Sequence, residues 1–287
     1  MTTNPSRIRK AIFPIGGTGT RFLPLTLATP KEMIPVVDTP LLHFCVLEAI
    51  EAGCEECIFV ISNEYNQQTI IENYFSNNGV LERRLRAAGK SEQAEKWRAQ
   101  LPTPGAVHFV EQKHPLGLGN AIWLSREIIG DESFAVLLPD ELLFAKPGCL
   151  SSLVSAYQKQ KDGFLLAMQQ VDQKECHRYG ILDIGGRKVG SEPVELHGVI
   201  EKPAPEDAPS NLAIIGRYIL PADVFELLQP SEKVEEGKED TPLTDALETL
   251  IKSNASTCAL LFNGERYDCG SKEGFLAATL ARSKVMS

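Results

Sequence analysis

Apolar positions along this chain fall into two periods. Short continuous apolar runs begin at KAIFP, return as CIFVIS at 57–62 and VHFVE at 107–111, and recur as SFAVLLPDELLF at 133–144. Runs of this length suit strands buried on both faces. Between the first two, TPLLHFCVLEAIEA at 39–52 carries apolar residues at helical spacing and stops at Gly53. A strand, helix, strand succession of this kind starts a parallel, doubly wound sheet, whose ligands gather at the carboxyl ends of the strands. Residues 66–100 are polar and densely charged, which predicts a solvated helical excursion anchored by Trp97. A helix is then expected from Gly117 and Gly119 to Gly130.

The second half has a different rhythm. GFLLAMQQV, YGILDI, HGVIEKP and LAIIGRYIL are four strand-like runs with few long helices between them. They predict an additional, partly antiparallel layer. An acidic loop, PSEKVEEGKEDT at 230–241, precedes the helix PLTDALETLIK, the strand STCALLFNG and a terminal helix after Gly270. No internal repeat or low-complexity linker divides the chain. The predicted fold class is α/β: a doubly wound, mainly parallel, Rossmann-like mixed sheet with helices on both faces and a smaller antiparallel β layer. One domain, 1–287, is expected, with halves at about 8–145 and 146–287.

Composition narrows the partners. With 287 residues, 43% hydrophobic and 23% charged, the chain can bury an ordinary globular core. Its formal net charge of −9 offers no general field for nucleic acid or an anionic membrane, so a phosphate ligand must be held by local cations. MTTNPSRIRK leads into no signal-like apolar segment and no later stretch has the length of a membrane span, which predicts a cytoplasmic protein. Seven cysteines, odd in number and mostly within apolar runs, suit reduced buried thiols. The single CxxC, Cys54 to Cys57, has no second pair to complete a zinc site and reads as structural.

The stretch FPIGGTGTRFLPLTLATPKEMIP at 13–35 carries the densest chemistry. A glycine-rich turn brings backbone N–H groups close to a ligand, and Arg21 and Lys31 call for an anion, which together suggest a polyphosphate. The spacing excludes two familiar loops. Phe22 stands where a dinucleotide fingerprint needs its third glycine, and Arg21 stands where a Walker loop needs glycine before its lysine. Gly117 and Gly119, opening a helix after a strand, offer a second wall next to a positive helix end. Asp140 and Glu141 follow a buried strand, where a carboxylate beside phosphates serves best as a magnesium ligand. Glu201 and Lys202 close GVIEKP and read either as a surface ion pair or as a grip on a phosphorylated sugar. Asp268 ends another strand.

Taken together, GGTGTRFLP, PKEMIPV, EQKHPLGLGNAI, VLLPDELL, YGILDI, GVIEKP, NLAIIGRYIL and YDCGSKEGF resemble the sugar nucleotidylyltransferases, most closely their bacterial UTP–glucose-1-phosphate uridylyltransferase branch. The resemblance runs from about Lys10 to the end of the chain. It implies in-line attack of a sugar 1-phosphate on the α-phosphorus of a nucleoside triphosphate, here UTP and glucose 1-phosphate giving UDP-glucose and pyrophosphate. It implies that Gly16, Gly17, Gly19 and Thr20 hold the nucleotide, Arg21 the departing pyrophosphate and Lys31 the α-phosphate, with Gln112 and Gly117 on the uracil. Magnesium would be held by Asp140 and Asp268. Tyr179, Gly180, Glu201 and Lys202 would form the sugar-phosphate pocket, Lys202 neutralising the attacking phosphate. A homodimer or homotetramer is also implied. Three positions depart from the pattern: Leu27 for a usual lysine, Asn120 for a usual histidine in GLGHA, and Thr18 for a residue more often apolar. They leave dTTP or another sugar 1-phosphate open as substrate. A non-catalytic homologue that binds nucleotide sugars is the rival of another class, and the intact GTGTR and PKEM motifs oppose it.

Overall fold

The computed structural model describes residues 7–62, 67–75, 79–114, 116–160, 163–230, 242–253 and 256–286. Its centre is a mixed sheet begun by β1 (Lys10–Pro14), β4 (Glu56–Ile61), β5 (Val107–Glu111) and β6 (Phe134–Leu137). These four pair in parallel, with β1 between β6 and β4, and β5 outside β4. Their carboxyl ends therefore share one edge. Alternate residues serve opposite faces: Ile12, Ile58 and Val136 pack in one core, Phe13, Phe59 and Leu137 in the other. Burial on both faces explains why these strands carry no polar alternation.

Most of the strands of the second half extend the same sheet. Next to β6 runs β12 (Leu212–Leu220), antiparallel, then β8 (Phe164–Gln170), β13 (Thr257–Leu261) and β10 (Val194–Glu195). A side branch, β9 (Gly180–Asp183) with β11 (Gly198–Glu201), attaches antiparallel to β12 at Ala213. This branch carries the motifs read as the sugar side.

Helices cover both faces. On one lie α1 (Leu41–Glu51), α2 (Gln67–Phe75) and α7 (Cys149–Tyr157), on the other α5 (Gly117–Leu124), α6 (Arg126–Ile129), α8 (Val224–Leu227) and α9 (Leu243–Lys252). The charged excursion is helical, with α3 (Gly79–Ala87) burying none of its side chains and α4 (Ser91–Arg98) tied down through Trp97. The terminal helix α10 (Lys272–Met286) packs on a small cluster of Val36, Leu41, Leu142 and Cys269. All seven cysteines are unpaired thiols, six of them buried. Among the described residues no helix is long and apolar enough to cross a membrane. The acidic loop expected at 230–241 lies, from 231 onward, outside the described residues.

Three local expectations change. The helix expected over 39–52 begins at Leu41, because Thr39 and Pro40 form β3 against β2 (Pro35–Val36). The helix expected from Gly117 to Gly130 breaks at buried Ser125, whose Oγ lies 3.4 Å from the Ala121 carbonyl. Such back-bonding from serine bends helices. The run SFAVLLPDELLF is two strands: β6 stays in the main sheet, while β7 (Glu141–Phe144) leaves it to pair antiparallel with β14 (Glu265–Asp268). Pro139 has no N–H for a ladder and marks the departure.

A buried arginine holds that departure point. Arg217, wholly inaccessible on β12, donates to Glu48 Oε2 through Nε and Nη2 at 3.0 and 2.9 Å. It also reaches the carbonyls of Leu138 at 3.0 Å and Glu141 at 2.8 Å. Gly216 beside it has φ 69° within an irregular stretch of the β12–β8 ladder, and a Cβ there would stand 2.9 Å from Leu138 Cβ. The turn 138–141 is therefore clamped at both ends, and Asp140 rides on it.

Candidate active site

A cleft of about 650 Å³ opens at the carboxyl edge of the parallel strands. Arg21, Gly117, Asp140, Tyr179, Gly180, Glu201, Lys202 and Asp268 line it, residues from both ends of the sequence.

The two aspartates meet through the small sheet. In the β7–β14 register Asp268 lies opposite Glu141, and the Cys269 N–H donates to the Asp140 carbonyl at 2.7 Å. Gly270 follows. A Cβ on Gly270 would stand 3.1 Å from Asp268 Oδ1, 3.4 Å from Asp140 Oδ2 and 3.8 Å from Arg21 Nη1. The two carboxylates thus approach a common hollow at Gly270 that a Cβ would crowd. Among the described residues no cluster of three or more His, Cys, Asp or Glu side chains could hold a metal. The hollow fits a cation that takes two carboxylates from the protein and its other oxygens from phosphate and water, the coordination magnesium accepts.

Lys31 stands at the wall of this hollow. Its Nζ donates to Asp140 Oδ2 at 2.7 Å and lies 3.8 Å from Glu32 Oε1. Burial alone would raise the Asp140 carboxyl, but Lys31 beside it holds it below the usual carboxylate range. Burial pulls Lys31 down, and Asp140 and Glu32 more than restore it, so it stays cationic. A Cβ on Gly17 would lie 3.4 Å from Lys31 Cε, and Gly19, at φ 62°, has room for none beside Thr26 and Lys31. The glycine turn and the lysine are packed as one unit. Thr20 opens the exposed short turn Thr20–Phe22, and Arg21 Nη1 reaches the Gly270 carbonyl at 3.2 Å.

Gln112 is buried behind Gly16. Its Nε2 donates to the Gly117 carbonyl at 3.0 Å and to Asn120 Oδ1 at 2.9 Å, which turns Oε1 toward Gly16. Asn120, unusual by resemblance, thus fixes which end of the Gln112 amide is available. Leu27 is 62% exposed and is not among the lining residues.

On the sugar side, the Lys202 N–H donates to the Tyr179 carbonyl at 3.0 Å, and Lys202 Nζ to Glu201 Oε1 at 2.7 Å. Lys202 adopts φ 47°, a left-handed conformation rarely found outside glycine and asparagine. A Cβ on Gly180 would stand 3.3 Å from Glu201 Oε2, so that glycine admits the carboxylate to the cleft.

Several residues escaped sequence reasoning. Arg178 lines the cleft and pairs with Asp268 and Glu175. Arg266 grips Glu141 with two hydrogen bonds of 2.7 and 2.8 Å and lies with Cζ 4.5 Å from the Tyr179 ring centroid. Arg217 was the most legible of them, a lone charge inside LAIIGRYIL. Glu32, next to Lys31, is 2% exposed, and its Oε2 has no hydrogen-bond partner among the described residues.

Glu32 makes stability depend on pH. Burial first of all pushes its carboxyl up to about 7, against the pull of Lys31, from an ordinary 4.5. Between those values the folded chain keeps a proton that the unfolded chain has lost, so stability falls as pH rises through the window. Above it the full penalty, about 3 kcal/mol, applies. Glu32→Gln is expected to raise Tm at pH 8 and to leave it close to wild type at pH 4.5. Equal shifts at both pH values in a calorimeter would remove Glu32 as the cause.

Residues 10–284 match the family model described as nucleotidyl transferase. The UTP–glucose-1-phosphate uridylyltransferase of Bacillus subtilis (strain 168) is 41% identical over 277 residues, covering 96% of this chain and 90% of that relative. A solved structure of UTP-bound UGPase from Acinetobacter baumannii superposes with TM-score 0.82 at 36% identity, over 96% of this chain and 93% of the other. A UDP-glucose pyrophosphorylase complexed with UDP-glucose superposes with TM-score 0.81 at 37% identity, over 97% and 99%.

Proposed function

This chain belongs to the nucleotidyl transferase family, and from that premise we propose that it transfers a uridylyl group from UTP to glucose 1-phosphate, releasing pyrophosphate and forming UDP-glucose. The observation that carries the reading is the convergence of Arg21, Asp140, Lys202 and Asp268 on one cleft, with Lys31 bonded to Asp140 at its wall. Two anionic substrates need cations, and Arg21 and Lys202 in this lining support that reading. Such a transfer depends on positioning and charge neutralisation more than on a proton-transfer residue.

The proposed roles are those that the resemblance implies. The backbone of Gly16, Gly17, Gly19 and Thr20 receives the nucleotide phosphates, Arg21 faces the departing pyrophosphate, and Lys31 lies at the α-phosphate. Tyr179, Gly180 and Glu201 hold the sugar, with Lys202 on its phosphate. A divalent ion, magnesium in this proposal, held by Asp140 and Asp268 would supply further neutralisation of the triphosphate. Gln112 offers a carbonyl oxygen as acceptor for the imide N–H of uracil, with Gly117 as the other base contact. Cytosine has an acceptor at that position and should bind poorly.

Action in the cytoplasm suits seven free thiols. A homodimer or homotetramer is the proposed assembly. Exposed Leu276 and Leu280 on α10 are available for it, and sedimentation of the purified chain tests it.

The deciding assay measures magnesium-dependent pyrophosphate release for UTP, dTTP, ATP, CTP and GTP against several sugar 1-phosphates. UTP with glucose 1-phosphate should give the highest kcat/KM, with CTP near background. Preference for dTTP would keep the mechanism and overturn the substrate. No release with any pair would overturn the enzyme reading in favour of a nucleotide-sugar-binding homologue.

A further inference from the structure

Two arginines lie against the ring of Tyr179, one almost buried and the other partly exposed. Arg266 is almost buried and doubly bonded to Glu141, itself 9% exposed. Arg178, with its side chain 38% exposed, lines the cleft and is held by side-chain ion pairs to Asp268 and to Glu175, the latter at 2.5 Å. Its Cζ lies 5.4 Å from the Tyr179 ring centroid. The next residue's carbonyl is the one that receives the Lys202 N–H. Arg178 and Lys202 therefore line the same cleft, one next to Tyr179 in the chain and the other bonded to its carbonyl.

We propose that Arg178 is a second phosphate-binding cation of the sugar half, parked on Asp268 until a sugar-linked phosphate enters beside Lys202. The proposal rests on the reading above that the sugar half receives a sugar 1-phosphate. An arginine fork matches two phosphate oxygens at once, whereas Lys202 offers a point charge. The Asp268 carboxylate faces the Gly270 hollow with its other oxygen. With Asp268 holding a cation in that hollow, its hold on Arg178 would weaken and the sugar-linked phosphate would be the better partner. Glu175 stays on Nη1 and acts as a hinge, so a change of partner at Nη2 needs only side-chain rotation. No bond is made or broken in this exchange.

Calorimetric titration separates this from a structural role. UDP-glucose carries the sugar-linked phosphate and UMP lacks it. Arg178→Gln is expected to weaken UDP-glucose binding 10-fold or more while UMP binding changes less than 2-fold, with Arg178→Lys recovering part of the loss. In turnover, KM for glucose 1-phosphate should rise by a similar factor and KM for UTP should not. If both ligands weaken equally, Arg178 only orients Asp268 and the proposal falls. If neither weakens, it is a surface ion pair and the proposal falls. A wild-type protein that binds neither UDP-glucose nor UMP would instead overturn the proposed function, and this assignment with it.

Discussion

Lys202→Ala is expected to lower kcat for pyrophosphate release by about 10²-fold, the scale on which one preorganised electrostatic donor acts. The fold should be indifferent to the change. The Lys202 side chain is 60% exposed and its pair with Glu201 is a surface ion pair, worth at most about 1 kcal/mol. Alanine keeps the Cβ, so the left-handed backbone at φ 47° is no less favourable than before. Its N–H bond to Tyr179 also survives, since the substitution leaves the backbone donor in place. Melting temperature should therefore stay near wild type while turnover collapses. Wild-type turnover in this variant would remove Lys202 from the mechanism.

The largest loss of stability is expected from Arg217→Met. This change leaves the largely covered Glu48 carboxylate, 11% exposed, without its counter-charge, and breaking a buried pair from one side costs about 3–5 kcal/mol. It also strips a donor from the carbonyls of Leu138 and Glu141. A thermal scan should show Tm lowered by roughly 10 °C for a chain of this size. Adding Glu48→Gln should recover part of the loss, because it removes the stranded charge. A drop below about 1 kcal/mol would mean that the arginine does not clamp the 138–141 turn. Activity of the folded fraction provides a second measure, since Asp140 depends on that turn.

These two residues show how differently the sequence spoke. Lys202 stands out as a candidate because GVIEKP ends a strand in a charged pair before a proline. Arg217 sat inside LAIIGRYIL, where the apolar run marked the strand but gave no sign of the arginine's partner. That partner, Glu48, is 169 residues away on α1.

The same division holds for the fold and the site. Periodicity located the parallel strands, the helices between them and the glycine turn, because apolar spacing and glycine's backbone freedom act over a few residues. It merged β6 with β7: Pro139 marks the break, but the strand that β7 pairs with, β14, lies far along the chain. The chain alone also displayed the groups of the proposed site: glycines followed by Arg21 and Lys31, carboxylates at strand ends, and a charged pair after GVI. Tertiary structure alone decided that Asp268 pairs opposite Glu141 and so shares a hollow with Asp140. It decided that Lys31 rests on Asp140, that Asn120 orients Gln112, and that Arg178 sits on Asp268. Each of these joins groups whose spacing in the chain carries no period, and hydrogen bonds between them form only after the sheet has set the distance.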